Sequence, residues 1–162
     1  MIRPLSPEDA PFLDQMIYEG TFHEAIYPPG RRPSLKEALA DPGVARFVEG
    51  WDRPGDFGVV AIDGGRPVGA AWCRLSGKGD PGWTIDDKTP DMAIAVVPDQ
   101  RGRGWGGKLL AELLKLARRK GLEAMSLNVG KWNRSAIALY ERHGFSIVDE
   151  NADALLMRAD LQ

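Results

Sequence analysis

The sequence predicts an α/β fold, one mixed sheet with helices on both faces, carried by a single domain over residues 1–162. Three observations predict it. The first third reads as short capped helices. The middle reads as a strand pair across a tight turn. The last third alternates strands with amphipathic helices.

Residues 2–5 read as a short strand. Ser6-Pro7-Glu8-Asp9 opens a helix, with Ser as N-cap, Pro at the first position and acid in the first turn. Phe12, Leu13, Met16 and Ile17 share one face of it. Gly20 to Arg32 is a loop. Ser34 and Glu37 form a capping box for a short helix through Leu35, Ala38 and Leu39. Asp41-Pro42 caps another, expected to end near Gly50-Trp51. Phe57–Ile62 and Pro67–Leu75 are strands joined by Asp63-Gly64-Gly65-Arg66. Ser76 to Pro90 is a second loop. Asp91 to Val97 is a strand stopped by Pro98. Helix Gly104–Lys120, strand Glu123–Val129, helix Asn133–Arg142, strand Phe145–Asp149 and a last strand near Leu155–Ala159 follow.

Composition narrows the function classes. With 43% hydrophobic and 27% charged residues the chain packs a core. A net charge of −2 gives no basic track for nucleic acid. No apolar run is long enough to span a membrane and no leader is visible, so a cytoplasmic protein is expected. Cys73 lies among Ala71, Trp72 and Leu75 and reads as core. His23 and His143 have no metal-ligand spacing with it, so no metal is expected.

The densest chemistry lies in Val97-Pro98-Asp99-Gln100-Arg101-Gly102-Arg103-Gly104-Trp105-Gly106-Gly107-Lys108, between a strand and a long helix. Glycines let consecutive N–H groups converge. The helix start adds unpaired N–H groups and the positive end of its dipole. No acid stands there before Glu112. That combination suits a phosphate or pyrophosphate. A nucleotide-hydrolase loop would need a hydroxyl after Lys108, where Leu109 stands. A dinucleotide fold would need an acid ending the next strand, which ends at Asn128-Val129. A second segment runs from Asn133, a good N-cap, through Ala136, Ile137 and Tyr140 on one helical face. A core-facing tyrosine needs a partner or a task for its hydroxyl.

Together the two segments resemble the GNAT superfamily of acyl-CoA-dependent N-acyltransferases. The resemblance rests on Arg101-Gly102-Arg103-Gly104-Trp105-Gly106, which follows the loop pattern R/Q-x-x-G-x-G/A. Ile94-Ala95-Val96-Val97-Pro98 precede it, and Asn133 with Ala136-x-x-x-Tyr140-x-x-x-Gly144-Phe145 follows. It is firm over residues 91–146. It implies about six to seven strands flanked by about four helices, with splayed central strands. It also implies an N-acetyltransferase that uses acetyl-CoA as co-substrate and a primary amine of a small molecule or peptide as acceptor.

The residue roles come from the same resemblance. Backbone groups of Ile94, Ala95 and Val96 hold the pantetheine arm. N–H groups from Gly102 to Gly107, through Gly104, Trp105 and Gly106, hold the pyrophosphate, with Arg101, Arg103 and Lys108 beside it. Asn133 contacts the cofactor, and Tyr140 protonates the departing thiolate. Relatives carry a Glu where Asn128 or Met92 stands here, and neither of those residues takes a proton. Asp91, Glu19 and Glu24 are candidate substitutes for it, acting through water. Each is read as a surface group, and no base is assigned. The acceptor walls are expected from Gly20–Arg32 and Ser76–Pro90, where Tyr27, Trp83, Asp80, Asp86 and Asp87 would suit a cationic amine. A monomer or homodimer is expected. The alternative is a non-catalytic acyl-CoA-binding module.

Overall fold

The structure, a computed structural model, describes residues 1–28, 30–76 and 83–162. Its strands are β1 (Ile2–Pro4), β2 (Phe57–Asp63), β3 (Arg66–Arg74), β4 (Asp91–Val96), β5 (Ala124–Gly130), β6 (Phe145–Glu150) and β7 (Ala154–Asp160). They form one sheet in the order β1-β2-β3-β4-β5-β7-β6. Every neighbouring pair is antiparallel except β4 and β5. The helices are α1 (Ala10–Thr21), α2 (Leu35–Leu39), α3 (Pro42–Ala45), α4 (Trp105–Arg119) and α5 (Arg134–Arg142).

The N-terminal caps form as the residues require. Asp9 accepts from the Ser6 N–H at 2.8 Å and takes both Nη groups of Arg3, tying β1 to the start of α1. A 3₁₀ turn over Pro7–Asp9 stands where the sequence suggests the first helical turn. Leu13, Met16 and Ile17 of α1 are buried against the sheet. Ser34 Oγ accepts from the Glu37 N–H, and Asp41 Oδ1 from the Gly43 N–H.

The third helix is shorter than its sequence suggests. It leaves helical geometry after Ala45 and passes through turns to Gly50, which has φ 63°. Two side chains of β3 hold the turns that follow. Trp72 Nε1 donates to the Phe47 carbonyl at 2.9 Å, and Arg74 Nη1 donates to the Glu49 carbonyl at 2.6 Å. Both side chains are buried, and these carbonyls satisfy their donors.

The sheet has two distinct faces at β4. Ala95 lies against Gly20 of α1, whereas Val96, pointing the other way, lies with Leu109 of α4 around Gly69. Leu109, Leu110, Leu113, Leu114 and Ala117 of α4 fill the core on that second face. Cys73 sits fully inside it, and burial pushes its thiol well up, which suits a packing residue.

β4 and β5 part company almost at once. β4 pairs with β3 from Asp91 to Val96, yet meets β5 only at Asp91↔Ser126. β5 pairs along its length with β7 instead. The gap between the diverging strands opens into a cavity of about 750 Å³.

Candidate active site

The edge of β4 that faces the gap is a row of backbone groups without a strand partner. The Pro90 carbonyl still accepts from the Ser126 N–H at 3.0 Å. Backbone alternation then turns the N–H and C=O of Met92 and Ile94 to the same side, where β5 has moved away. Ala95 turns its backbone toward β3, where its register partner is Ala70. The Val96 carbonyl accepts from Arg101 Nε at 3.2 Å. Ile94, Ala95 and Val96 all line the cavity.

At the mouth of the gap α4 begins. Its N-cap is Gly104 at φ 86°, preceded by Gly102 at φ 75°. Both are left-handed conformations that favour glycine, and a Cβ on either would project into open space. The first α4 bond recorded from this turn is Lys108 N–H to the Gly104 carbonyl, so Trp105, Gly106 and Gly107 have N–H groups without an intrahelical acceptor. No acid occupies this turn. Leu139 of α5 lies beside Gly106 and Gly107, where a Cβ on either would meet it at an ordinary contact distance of 3.5–3.6 Å.

The cations named by the sequence separate here. Arg101 lines the cavity, but its Nη1 donates to Glu24 at 3.2 Å and its Nη2 lies 3.7 Å from Glu19. The guanidinium therefore ties this loop to the end of α1. Arg103 and Lys108 are exposed and do not line the cavity, and Lys108 Nζ lies over the Trp105 ring.

Tyr140 of α5 is buried, with its ring against Phe145, and it lines the cavity. Its hydroxyl has no hydrogen-bond partner among the described residues. Burial holds the phenol far above its ordinary pKa, so it keeps its proton at any working pH. Asn133 caps α5, its Oδ1 accepting from the Ala136 N–H at 3.3 Å, and it also lines the cavity.

The carboxylates differ from the sequence expectation. Asp91 is 1% exposed, not a surface group. It pairs with Arg46 Nη1 at 3.1 Å and accepts from the hydroxyls of Ser76 and Ser126. Glu19 is largely covered and lies between Arg32 and Arg101, while Glu24 stays exposed. Asp86 is spent on the N–H groups of Lys88 and Thr89. Of the expected acceptor walls, Trp83 lines the cavity, Tyr27, Asp86 and Asp87 do not, and Asp80 lies outside the described residues.

Sequence reasoning missed several wall residues. The His23 and Trp132 rings meet at a tilt of 52°, with centres 5.3 Å apart. His23 Nδ1 accepts from the Ala25 N–H, and desolvation keeps the imidazole below its usual pKa. Asn128 donates from Nδ2 to the Trp83 carbonyl at 3.1 Å, and its buried Oδ1 has no donor among the described residues. Arg46 and Phe47 form the wall nearest α3. The resemblance marks Asn128 only as the position where relatives carry Glu, and no local pattern marks the others, because each depends on a contact distant in sequence.

A mixed seven-stranded sheet that opens between its two parallel strands, with a glycine-started helix at the opening, defines the acetyltransferase fold of the GNAT class. The model of the acetyltransferase (GNAT) family matches residues 21–145, and the chain belongs to that family. It is similar to the mycothiol acetyltransferase of Geodermatophilus obscurus, 35% identical over 101 residues, covering 62% of this chain and 32% of that protein. It is 31% identical over 137 residues to the mycothiol acetyltransferase of Propionibacterium freudenreichii subsp. shermanii, covering 84% of this chain and 40% of that one. The chain thus spans only about a third to two fifths of these curated relatives (32% and 40%). Among solved structures, yncA of Salmonella typhimurium with its cofactor acetyl-CoA superposes with a TM-score of 0.71 at 23% identity, covering 100% of this chain and 94% of that one. The paiA N-acetyltransferase of Thermoplasma acidophilum with coenzyme A gives 0.67 at 19%, covering 99% and 98%.

Proposed function

We propose that this chain transfers an acetyl group from acetyl-CoA to a primary amine by direct attack. The observation that carries the reading is the unpaired Tyr140 hydroxyl on the wall of a gap whose other edge is the unpaired backbone of β4. Both leave polar groups on the cavity wall without a protein partner among the described residues, where a ligand can pair with them.

The residues present fit the cofactor. Ile94 offers its N–H and C=O to an extended pantetheine arm as a strand would. Trp105, Gly106 and Gly107 direct their N–H groups at a pyrophosphate, and Gly102 and Gly104 let it approach the backbone. Arg103 and Lys108 add a screened attraction from outside the wall, and Arg101 supports the loop through α1. Asn133 borders the arm beside Tyr140. Acetyl-CoA, when bound, supplies the activated acyl carbon.

The chemistry left to the chain is positioning and proton handling. Asn128 Oδ1 accepts an N–H of the attacking amine, with its Nδ2 fixed by Trp83. That hydrogen bond orients the amine and removes no proton. Tyr140 holds a proton at its oxygen, gives it to the departing sulfur and regains one from water in the cavity. Water takes the amine's second proton, since no carboxylate among the described residues lines the cavity.

Relatives give no single acceptor: beside the mycothiol enzymes, one is named an L-methionine sulfoximine/L-methionine sulfone acetyltransferase, 39% identical over 59 residues. The test is acetyl-CoA with a panel of amines, read by mass spectrometry and thiol release, alongside a thermal shift with coenzyme A. Acetylated amines support the reading. A thermal shift without transfer would make the chain a binding module, and no shift would remove the cofactor assignment itself.

A further inference from the structure

Two arginines lie buried side by side under the α3 turns, and they differ in one respect. Arg74, with its side chain 3% exposed, has donors at every nitrogen engaged: Nε and Nη2 by Asp56, Nη1 by the carbonyls of Arg46 and Glu49. It does not line the cavity. Arg46, 7% exposed, lines the cavity and uses only Nη1, on Ser76 and Asp91. Its Nε and Nη2 donors have no acceptor among the described residues.

An arginine cannot lose its proton to escape this, so its open donors need an acceptor. The group is also held still. Phe47 lies under the guanidinium at 4.0 Å, and Asp91 fixes one corner. Asp91 in turn accepts from Ser76 and Ser126, which hold the carboxylate, and with it the guanidinium, in place. A fixed, half-used fork on the cavity wall is suited to bidentate recognition of a carboxylate.

The rest of the wall agrees. Among the described residues the cavity is lined by Arg46, Arg101 and Arg142 but by no Asp or Glu. Of the acidic loop residues described, Asp86 is turned to backbone N–H groups and Asp87 does not line the wall. Arg46 and Asn128 belong to the same side of the sheet, since Asp91 and Ser126 pair with side chains together and Asn128 is two residues further on.

We propose that the acceptor is an amine that also carries a carboxylate, with Arg46 as the residue that reads the carboxylate. Resting on the acetyl-transfer reading, this names the substrate class of the same site. Arg46 is a specificity residue and exchanges no proton.

The wild-type chain tests this without any variant. Pairs of amino acids and the amino alcohols that replace their carboxylate are offered with acetyl-CoA, and kcat/KM is compared per neutral amine. The carboxylate member should win by at least about tenfold, the lower end for hydrogen bonds to a charged group. Arg46→Lys keeps a cation beside Asp91 and removes the fork. It should raise KM for the acids by about tenfold or more and flatten the preference, while coenzyme A affinity is kept. Equal use of acids and alcohols by the wild type would overturn the inference alone. So would a preference that survives in folded Arg46→Lys protein. Coenzyme A binding with no amine acetylated would sink the transfer reading and this inference with it.

Discussion

Asp91 Oδ2 and Arg46 Nη1 stand 3.1 Å apart, both nearly wholly buried, at the one register position where β4 still pairs with β5. The pair sits at the hinge of the V between the strands. Beyond it, along β4, the strands part and the cavity opens. The same carboxylate that a sequence reader would test as a base is therefore the clamp that holds the two strands and the α3 turns together.

Asp91→Asn should cost stability, not chemistry. Breaking a buried ion pair by removing one partner leaves an uncompensated charge, typically at a cost of about 3–5 kcal/mol. Urea denaturation should show that loss. The pH dependence of the protein that remains folded should keep its shape. A stable variant that has lost more than a hundredfold in kcat would instead make Asp91 the base.

Gly104→Val should weaken coenzyme A binding severely while the fold survives. The valine would have to adopt φ near 86°, a conformation strained for a β-branched residue, and its side chain would fill the open space before the α4 N–H groups. Calorimetric titration measures the loss, and unchanged affinity in folded protein would refute the site. Arg103→Ala should cost far less, because that side chain is exposed outside the wall.

Tyr140→Phe keeps the ring in its packing against Phe145 and removes the proton. The value of kcat should fall about 10²–10⁴-fold, the range for a positioned acid, with coenzyme A affinity little changed. Full activity would return Tyr140 to a packing role.

The pH profile follows from what the wall lacks. No carboxylate among the described residues lines it, and His23 has its Nδ1 engaged by Ala25. The attacking amine must lose its proton to water, so log kcat/KM should climb with pH toward the amine's own pKa. The opposing limb is absent from the working range, because a phenol held above its ordinary value stays protonated as pH rises through that value. A plateau well below the amine's pKa would reveal a base in the protein.

Local features were legible in the sequence because their physics is local. Ser34, Asp41 and Asn133 cap their helices through neighbours two or three residues away. The α4 stripe repeats at helical spacing, and Gly102 and Gly104 were placed at turns that need left-handed backbone. The family resemblance added the splay of the sheet and the positions of Tyr140 and the β4 edge. The end of α3 is not legible locally: Trp72 and Arg74 of β3, distant in sequence, hold the turns that follow it.

By itself the sequence determined the order of elements, the glycine-started α4 and the tyrosine on α5, since each is written in the spacing of nearby residues. Only the tertiary structure decided which charges are spent and which stay open. Asp91 became a clamp because burial brought it Arg46 from 45 positions away and Ser126 from 35. Arg101 turned to Glu19 and Glu24 because α1 ends beside it. A charge in a low-dielectric interior takes its meaning from the partners that packing supplies, and those partners come from across the chain.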